Sequence, residues 1–215
     1  MLLKDTDEGY KAFFTKEKAG LHGLTASDGS MYSGTPNRRT YWIAFESKSP
    51  ELVDLYYKYF KSVYEIQMHK DVDRGYPRVH ISNKMAFIDL KNYGAKTGPD
   101  MWIMPRTYLD KEGAREWLKC FFSGDGTVKN ARNATAYDIL YESTDKVGIE
   151  EIQPLLLKEF GIRSSLSVHY YGDRPGHKPL YMLRVNDKIR FAEEIGSYKK
   201  KHMERLDEIL KGKKY

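Results

Sequence analysis

The sequence predicts an α+β protein in which one structural unit occurs twice. Residues 16–92 and 113–196 share one order of elements, which is helix, Asp-Gly, two strands, helix, two strands, helix. Apolar residues three or four positions apart predict the helices, and alternating apolar residues predict the strands. We therefore expect two pseudo-symmetric αββαββα repeats whose antiparallel sheets form a saddle.

The first repeat begins with a helix predicted over Lys16–Ser27, which ends at Asp28-Gly29, where glycine suits a left-handed turn. Strands are expected over Ser30–Ser33 and Arg39–Glu46, around the turn residues 34–37. A helix then starts at Pro50 after Ser49 as N-cap. A second hairpin (Glu65–Lys70 and Arg78–Ser82) and a helix over Asn83–Asn92 complete the unit.

The second repeat is predicted to follow the same order. Its expected elements are helix Lys111–Gly124, Asp125-Gly126, strands Thr127–Ala131 and Ala136–Glu142, helix Gly148–Phe160, strands Arg163–Tyr171 and Leu180–Asn186, and helices from Lys188 onward. We expect residues 1–97 and 111–215 to form the two repeats and residues 98–110 to connect them.

The composition narrows the class of protein. The 215 residues carry a formal net charge of +6, which favours a polyanionic partner. A single cysteine excludes an internal disulfide framework and a multi-cysteine zinc site, and favours a reducing compartment. No stretch is apolar for long enough to span a membrane. The N-terminal residues carry charges where a signal peptide would have its apolar run. An intracellular, cytoplasmic location is the expectation, with no membrane partner.

Two nine-residue segments 97 positions apart resemble the motif that names the LAGLIDADG family. They are 21–29 (LHGLTASDG) and 118–126 (LKCFFSGDG), each followed by hairpin, helix, hairpin and helix. The inner acid of the family motif is replaced by Ala26 and Ser123, but the small residues and the final Asp-Gly are kept. The resemblance covers nearly the whole chain and implies a two-motif, monomeric homing endonuclease of the archaeal intron-encoded type, with the homing endonuclease fold.

The resemblance implies that the two motif helices pack side by side. Gly23 with Ser27, and Cys120 with Gly124, lie four residues apart on one helical face, where small side chains allow close approach. This packing would bring Asp28 and Asp125 together as the catalytic, metal-binding acids. Each would lie at a helix C-terminus, where the dipole disfavours anions, so a cation is needed.

Carboxylate oxygens favour a divalent ion, and the expected cofactor is Mg2+ (or Mn2+). By the same resemblance the backbone carbonyls of Ser27 and Gly124 are further ligands. Lys199 and Lys200, with Lys201, are the candidates for a cation near the scissile phosphates. The expected reaction is hydrolysis of phosphodiester bonds across the minor groove of double-stranded DNA.

The outward faces of the strands are the candidate DNA-reading surface, since side chains alternate between the two faces of a sheet. In the first repeat the candidates are Tyr32, Arg38, Thr40, Trp42, Glu46, Gln67, His69, Arg78 and His80, and in the second they are Lys129, Ser165, Ser167, His169, Met182 and Arg184. Because the two sets differ, a long non-palindromic target is expected.

Other functions are also compatible with parts of the sequence. A non-cleaving nucleic-acid-binding protein of the same fold, either an intron RNA maturase or a transcription regulator, is the main alternative, although both acids are present. An intein-borne nuclease is disfavoured because the chain lacks the splice residues at its ends. A metabolic enzyme with paired carboxylates is disfavoured, because it would need a pocket-forming loop with converging polar groups and the sequence shows no such loop.

Overall fold

The computed structural model describes residues 14–34, 40–95, 102–131, 136–170 and 178–212. The first repeat contains α1 (Lys16–Ser27), β1 (Gly29–Ser33), β2 (Tyr41–Glu46), α2 (Pro50–Tyr64), β3 (His69–Asp73), β4 (Tyr76–Ser82) and α3 (Lys84–Asn92). Its four strands form one antiparallel sheet in the order β1-β2-β4-β3.

The second repeat follows a short 3-10 turn, Arg106–Tyr108. It contains α4 (Lys111–Asp125), β5 (Gly126–Asn130), β6 (Tyr137–Ser143), α5 (Lys146–Phe160), β7 (Ser164–His169), β8 (Leu180–Val185), α6 (Lys188–Glu194) and α7 (Lys200–Leu210). The sheet order β5-β6-β8-β7 repeats that of the first sheet, again antiparallel. The predicted α+β class and the repeated αββαββα order are confirmed, with α7 added at the end.

Local sequence signals account for the starts of these helices. The Thr15, Asn83, Asp110 and Asp145 side chains each accept a hydrogen bond from a backbone N–H three residues later, at 2.7–3.2 Å. Pro50 opens α2, where its missing N–H costs nothing. In the described parts of the chain, no helix is both long and apolar enough to cross a membrane.

The predicted position of β3 is wrong by several residues. Glu65 takes a left-handed conformation (φ 58°) that ends α2, and residues 66–68 form a connection, so the strand begins at His69 and not at Glu65. The hairpin then turns at Arg74 and Gly75, both with positive φ (50° and 86°), as a tight two-residue hairpin requires. Gln67 consequently lies in the connection, ahead of the sheet.

The left-handed turn predicted for Gly29 is also wrong. Neither Gly29 nor Gly126 is in the left-handed region; Gly126 is extended (φ −82°, ψ 161°). A Cβ on Gly29 would lie 2.7 Å from the Thr25 carbonyl oxygen, and one on Gly126 would overlap Phe122. Glycine is required because the chain turns back tightly against the helix it has just left, and a side chain would not fit.

The packing of α1 against α4 holds the two repeats together. A Cβ on Gly23 would lie 2.6 Å from the Trp117 carbonyl oxygen and 3.2 Å from Cys120 Cβ, and a Cβ on Gly124 would overlap the Ser27 side chain. The two backbones are therefore as close as small residues permit, as predicted. Both helices are shared between the cores, since Ala19 and Ala26 of α1 pack in the second-repeat core and Cys120 of α4 packs in the first.

A fully buried histidine links the two helices. The Trp117 indole N–H donates to His22 Nδ1 (3.0 Å), so Nε2 carries the ring proton, which it donates to the Tyr93 carbonyl oxygen (2.9 Å). Burial lowers the pKa of His22 to about 4, and Lys18 lowers it further, although the Tyr93 carbonyl and Asp89 oppose the shift. The buried interface therefore contains the neutral form of the His22 imidazole.

Gly23→Ala tests the close approach of α1 and α4. The added methyl must separate two backbones that cannot otherwise adjust, so we expect the free energy of unfolding to fall by about 1–3 kcal/mol. Gly113→Ala in α4 is the matched control. The nearest atoms to its Cβ would be side-chain atoms, including Asp110 Oδ1 at 3.2 Å and Ala19 Cβ at 3.7 Å, so the free energy of unfolding should fall less than in Gly23→Ala. Equal urea midpoints for Gly23→Ala and the wild type would contradict the packing.

Acidification tests the neutral His22. Its folded-state pKa lies below the unfolded value of 6.5, so its contribution to stability is complete above pH 6.5 and is lost as the pH falls towards 4. Full protonation corresponds to about 3 kcal/mol. His22→Gln can retain both hydrogen bonds without titrating, so urea midpoints measured at pH 7 and pH 4.5 should fall less for this variant. An equal fall in both proteins would rule out the assignment.

Candidate active site and nucleic-acid interface

The ends of α1 and α4 bring the two candidate acids to one place. Asp28 caps α1 (φ −93°, ψ 0°), its N–H donating to the Leu24 carbonyl, and Asp125 is the last residue of α4; both are half-buried. The Cβ position of Gly124 lies 3.5 Å from Asp28 Oδ2. The Asp28 carboxylate therefore lies against the residue that immediately precedes Asp125.

Electrostatics make this end of the helix pair a place for cations. Each motif helix ends here with outward-facing carbonyl oxygens, and the C-terminal end of a helix carries a partial negative charge. Two carboxylates add to that field. Carboxylate and carbonyl oxygens are the ligands that Mg2+, Mn2+ and Ca2+ prefer, so the donor set suits a hard divalent ion.

A pocket of about 320 Å³ opens beside these acids. It is lined by Asp28, Glu46, Ser47, Lys48, Tyr76, Gly124 and Lys199. The Lys199 ammonium donates to the Gly124 carbonyl oxygen at 3.4 Å. The pocket thus joins the end of the motif helices to the first sheet, with two basic side chains, Lys48 and Lys199, in its wall.

The other candidate residues around the pocket differ in position. Lys200 and Lys201 are exposed and line a neighbouring groove with Glu51, whose Oε1 accepts the Lys200 backbone N–H at 3.1 Å. Ser27 is buried, and its hydroxyl donates to the Leu24 carbonyl at 3.1 Å. No cluster of three His, Cys, Asp or Glu side chains suited to a metal ion occurs within the described residues.

The strand register of the first sheet assigns one face to the candidate DNA readers. Tyr32 pairs with Trp42, Glu46 with Arg78, and His69 with His80, which places all of them on the same side. Their rings form a row across the sheet: Tyr32 and Trp42 stack at 6.0 Å, Trp42 and His80 at 4.5 Å, and His80 and His69 at 5.6 Å. Because these rings cover one another's faces, they present mainly their edges to a ligand.

Two acidic residues that were not predicted from the sequence, Asp71 and Asp73, lie on the same face. Arg78 donates to Asp71 through Nε (2.9 Å) and Nη2 (2.6 Å), and to Asp73 through Nη1 (2.7 Å). Its hydrogen bonds hold the pKa of Asp71 below its usual value, and His80 Nε2 is also 3.2 Å from Asp71. The guanidinium is thus already held by protein carboxylates. The Asp-Val-Asp spacing opposite Arg78 was the signal that could have revealed this.

The second sheet presents a face of different chemistry. Lys129 forms an ion pair with Glu142 (3.3 Å), and Arg184 forms one with Asp138 (2.9 Å). Ser165 pairs with Arg184 and Ser167 with Met182, so these candidates share the face with His169. Where the first sheet has an aromatic row, the second has the polar row Lys129, Asp138, Arg184 and Ser165.

Two candidates of the first repeat remain. Thr40 is half-buried just ahead of β2, and its carbonyl accepts the Gly34 N–H at 2.7 Å. Arg38 lies outside the described residues.

Comparisons with known proteins agree with this architecture. A family model described as a LAGLIDADG-like domain matches residues 112–196. No curated protein matches the chain. Among solved structures, mesophilic variants of the homing endonuclease I-DmoI superpose with a TM-score of 0.62 at 17% identity, covering 84% of this chain and 95% of that one.

Two further structures share the fold. The homing endonuclease I-WcaI bound to its DNA recognition sequence gives a TM-score of 0.60 at 16% identity, with 95% of both chains covered. Full-length DUF199/WhiA from Thermatoga maritima gives 0.55 at 13% identity, covering 94% of this chain and 63% of that one.

These findings confirm the resemblance carried by the two nonapeptides. Residues 112–196, which include the second nonapeptide, match the model of a LAGLIDADG-like domain, and the chain as a whole has the fold of the homing endonucleases I-DmoI and I-WcaI.

Proposed function

We propose that the protein is a site-specific endonuclease that hydrolyses phosphodiester bonds of double-stranded DNA with divalent metal ions. The observation that supports this most strongly is the meeting of two helix ends, with Asp28 Oδ2 3.5 Å from the Cβ position of Gly124, next to Asp125. Two carboxylates at paired helix C-termini are electrostatically unfavourable without a cation. A fold that brings them together suits metal-dependent chemistry.

The residues present fit Mg2+ (or Mn2+). The Asp28 and Asp125 carboxylates and the backbone carbonyls of Ser27 and Gly124 would hold the ion, with DNA phosphate oxygens and water completing the shell. A bound ion would supply an activated water and stabilise the leaving 3′ oxygen. Structures of I-DmoI in complex with DNA and Mn, and with DNA and Ca, support a divalent cofactor.

The chain's own groups would position the DNA around this centre. Lys199, in the pocket wall, would place its ammonium near a scissile phosphate. The two sheet faces would lie along the groove on either side, so that the helix ends reach the phosphates across the minor groove. Two four-stranded sheets would span about 15–20 base pairs.

The two repeats would act as one monomeric enzyme with non-equivalent halves. We assign residues 1–97 and 111–215 to the halves and residues 98–110 to the connection. The surface of each motif helix that would otherwise drive dimerisation is already filled by the other, at Gly23 against Trp117 and at Ser27 against Gly124.

A non-cleaving nucleic-acid-binding protein is the second candidate. The same fold occurs in DUF199/WhiA, which is not named as an endonuclease, so the fold alone does not establish cleavage. The retained acid pair favours cleavage. A cleavage assay on a randomised DNA library in Mg2+ distinguishes the endonuclease from the non-cleaving protein. An endonuclease would cut the site that it selects, whereas a protein that selects a site and leaves it intact would have only the binding function.

Asp28→Asn and Asp125→Asn test the acid pair. Each change keeps the shape but removes a negative charge, so we expect cleavage to be abolished while the Kd for target DNA is retained or lowered, because repulsion of phosphate is eased. Asp54→Asn on α2 is the control, an exposed carboxylate paired with Lys70. Cutting of both strands at the wild-type rate by both motif variants would remove these residues from the active site.

Exchange of equivalent positions tests the non-equivalent halves. Tyr32 and Lys129 occupy the same place in the two sheets. Selected target sites should be non-palindromic and bind one protein per duplex in sedimentation. Tyr32→Lys should alter base preference in one half-site and Lys129→Tyr in the other. A 2:1 complex on a palindrome, or the same half-site altered by both variants, would contradict the arrangement.

A further inference from the structure

We propose that Ser123 and Ser197 are positioning residues that fix the segment carrying Lys199, and so hold the Lys199 ammonium in the wall of the candidate active site. This inference rests on the proposed function and assigns a role within the same site. Its basis is a buried hydroxyl pair that joins the end of α4 to residues 197–199, which lie in the connection between α6 and α7.

Ser123 is the first member of the pair. It is fully buried, two residues before Asp125, and its hydroxyl donates to the Lys119 carbonyl of its own helix at 2.7 Å. The same oxygen accepts the Tyr198 backbone N–H at 2.8 Å and lies 3.1 Å from Ser197 Oγ. Beyond its own helix turn, the hydrogen-bond partners of this hydroxyl thus all lie in the segment next to Lys199.

Ser197 continues the connection. Its hydroxyl accepts the Lys199 backbone N–H at 3.1 Å and lies 3.3 Å from His202 Nδ1. Burial lowers the pKa of His202 to about 4, and Lys199, Arg205 and Lys201 lower it further. The imidazole is therefore neutral near pH 7, and it packs against the Phe122 ring at 5.2 Å.

Tyr198 is also anchored through its side chain. Its hydroxyl donates to Glu116 Oε2 (3.1 Å), and the Tyr59 hydroxyl donates to Glu116 Oε1 (2.7 Å). Glu116 is buried, and a buried carboxylate is stable only when donors satisfy it. The residue before Lys199 is thus fixed at both its backbone and its ring, which leaves the Lys199 side chain to reach Gly124.

The first repeat shows that helix packing does not require this hydroxyl. The position equivalent to Ser123 is Ala26, which is equally buried in α1. In that half, α1 contacts the segment after α3 through His22 and the Tyr93 carbonyl, one turn earlier along the helix. The serine is therefore best explained by the segment that it binds, and the helix–helix contact alone would accept alanine.

A double-mutant cycle tests the assignment. Ser123→Ala should lower the single-turnover cleavage rate by about tenfold to a hundredfold, as expected for loss of positioning, with the DNA Kd unchanged. In a Lys199→Met background the same change should lower the rate by less than about twofold. Thr25→Val in α1 is the matched control, since it removes a buried hydroxyl bonded to Leu21 and Tyr56 and should leave cleavage unchanged.

Amide hydrogen exchange provides a readout that needs no cleavage. The Tyr198 N–H, whose acceptor is the Ser123 hydroxyl, should exchange at least about tenfold faster in Ser123→Ala, and the Lys199 N–H should do so in Ser197→Ala. An equal loss of rate in the wild-type and Lys199→Met backgrounds, or unchanged exchange at these amides, would overturn the positioning role. A wild-type protein that cuts no DNA would overturn the proposed function, while the exchange rates would still decide whether the serines hold the segment.

Discussion

The close approach of α1 and α4 is the constraint on which the rest of the structure depends. Where Gly23 meets the Trp117 carbonyl and Gly124 meets Ser27, the helices are separated only by backbone and the smallest side chains. Each helix is followed directly by the first strand of its own sheet, so the distance between the helices also sets the distance between the sheets. A larger residue at these contacts would alter the acid pair and the candidate DNA-reading faces of the two sheets together.

The acidic groups at the interface of α1 and α4 differ in burial. Glu116 is buried and receives hydrogen bonds from Tyr59, Tyr198 and Cys120, so its charge is satisfied by the protein. Asp28 and Asp125 lie at the open end of the same interface, beside a pocket and a lysine. The enclosed position of Glu116 suits a structural role, whereas Asp28 and Asp125, both half-buried at the C-terminal ends of α1 and α4, are the pair that we propose to bind metal.

The elements governed by local pattern were predictable from the sequence. The bounds of α1, the repeated order and the face occupied by Tyr32, Trp42 and His69 follow from periodicity and capping. The start of β3 was not predictable, because no local sequence pattern indicates that Glu65 takes a left-handed conformation and ends α2. The glycine of each Asp-Gly pair was recognised, but its reason is a steric contact with the preceding helix.

Interactions between distant segments account for what the sequence did not predict. The pairing of Arg78 with Asp71 and Asp73 lies within one hairpin and could have been inferred from the Asp-Val-Asp spacing, whereas the contact of Ser123 with Ser197 joins residues 74 positions apart. Long-range packing of this kind is not encoded in a short motif. As a result, the candidate acids could be named from the sequence, whereas the buried hydroxyls that contact the segment carrying Lys199 required the structure.

Binding of Mn2+ tests the central claim most directly. Electron paramagnetic resonance of the protein bound to its selected DNA, titrated with Mn2+, should show bound ions that are lost in the Asp28→Asn/Asp125→Asn double variant. The duplex alone and the Asp54→Asn complex provide the background and the matched control. Bound Mn2+ that persists unchanged in the double variant would contradict the assignment of the two helix ends as the metal site.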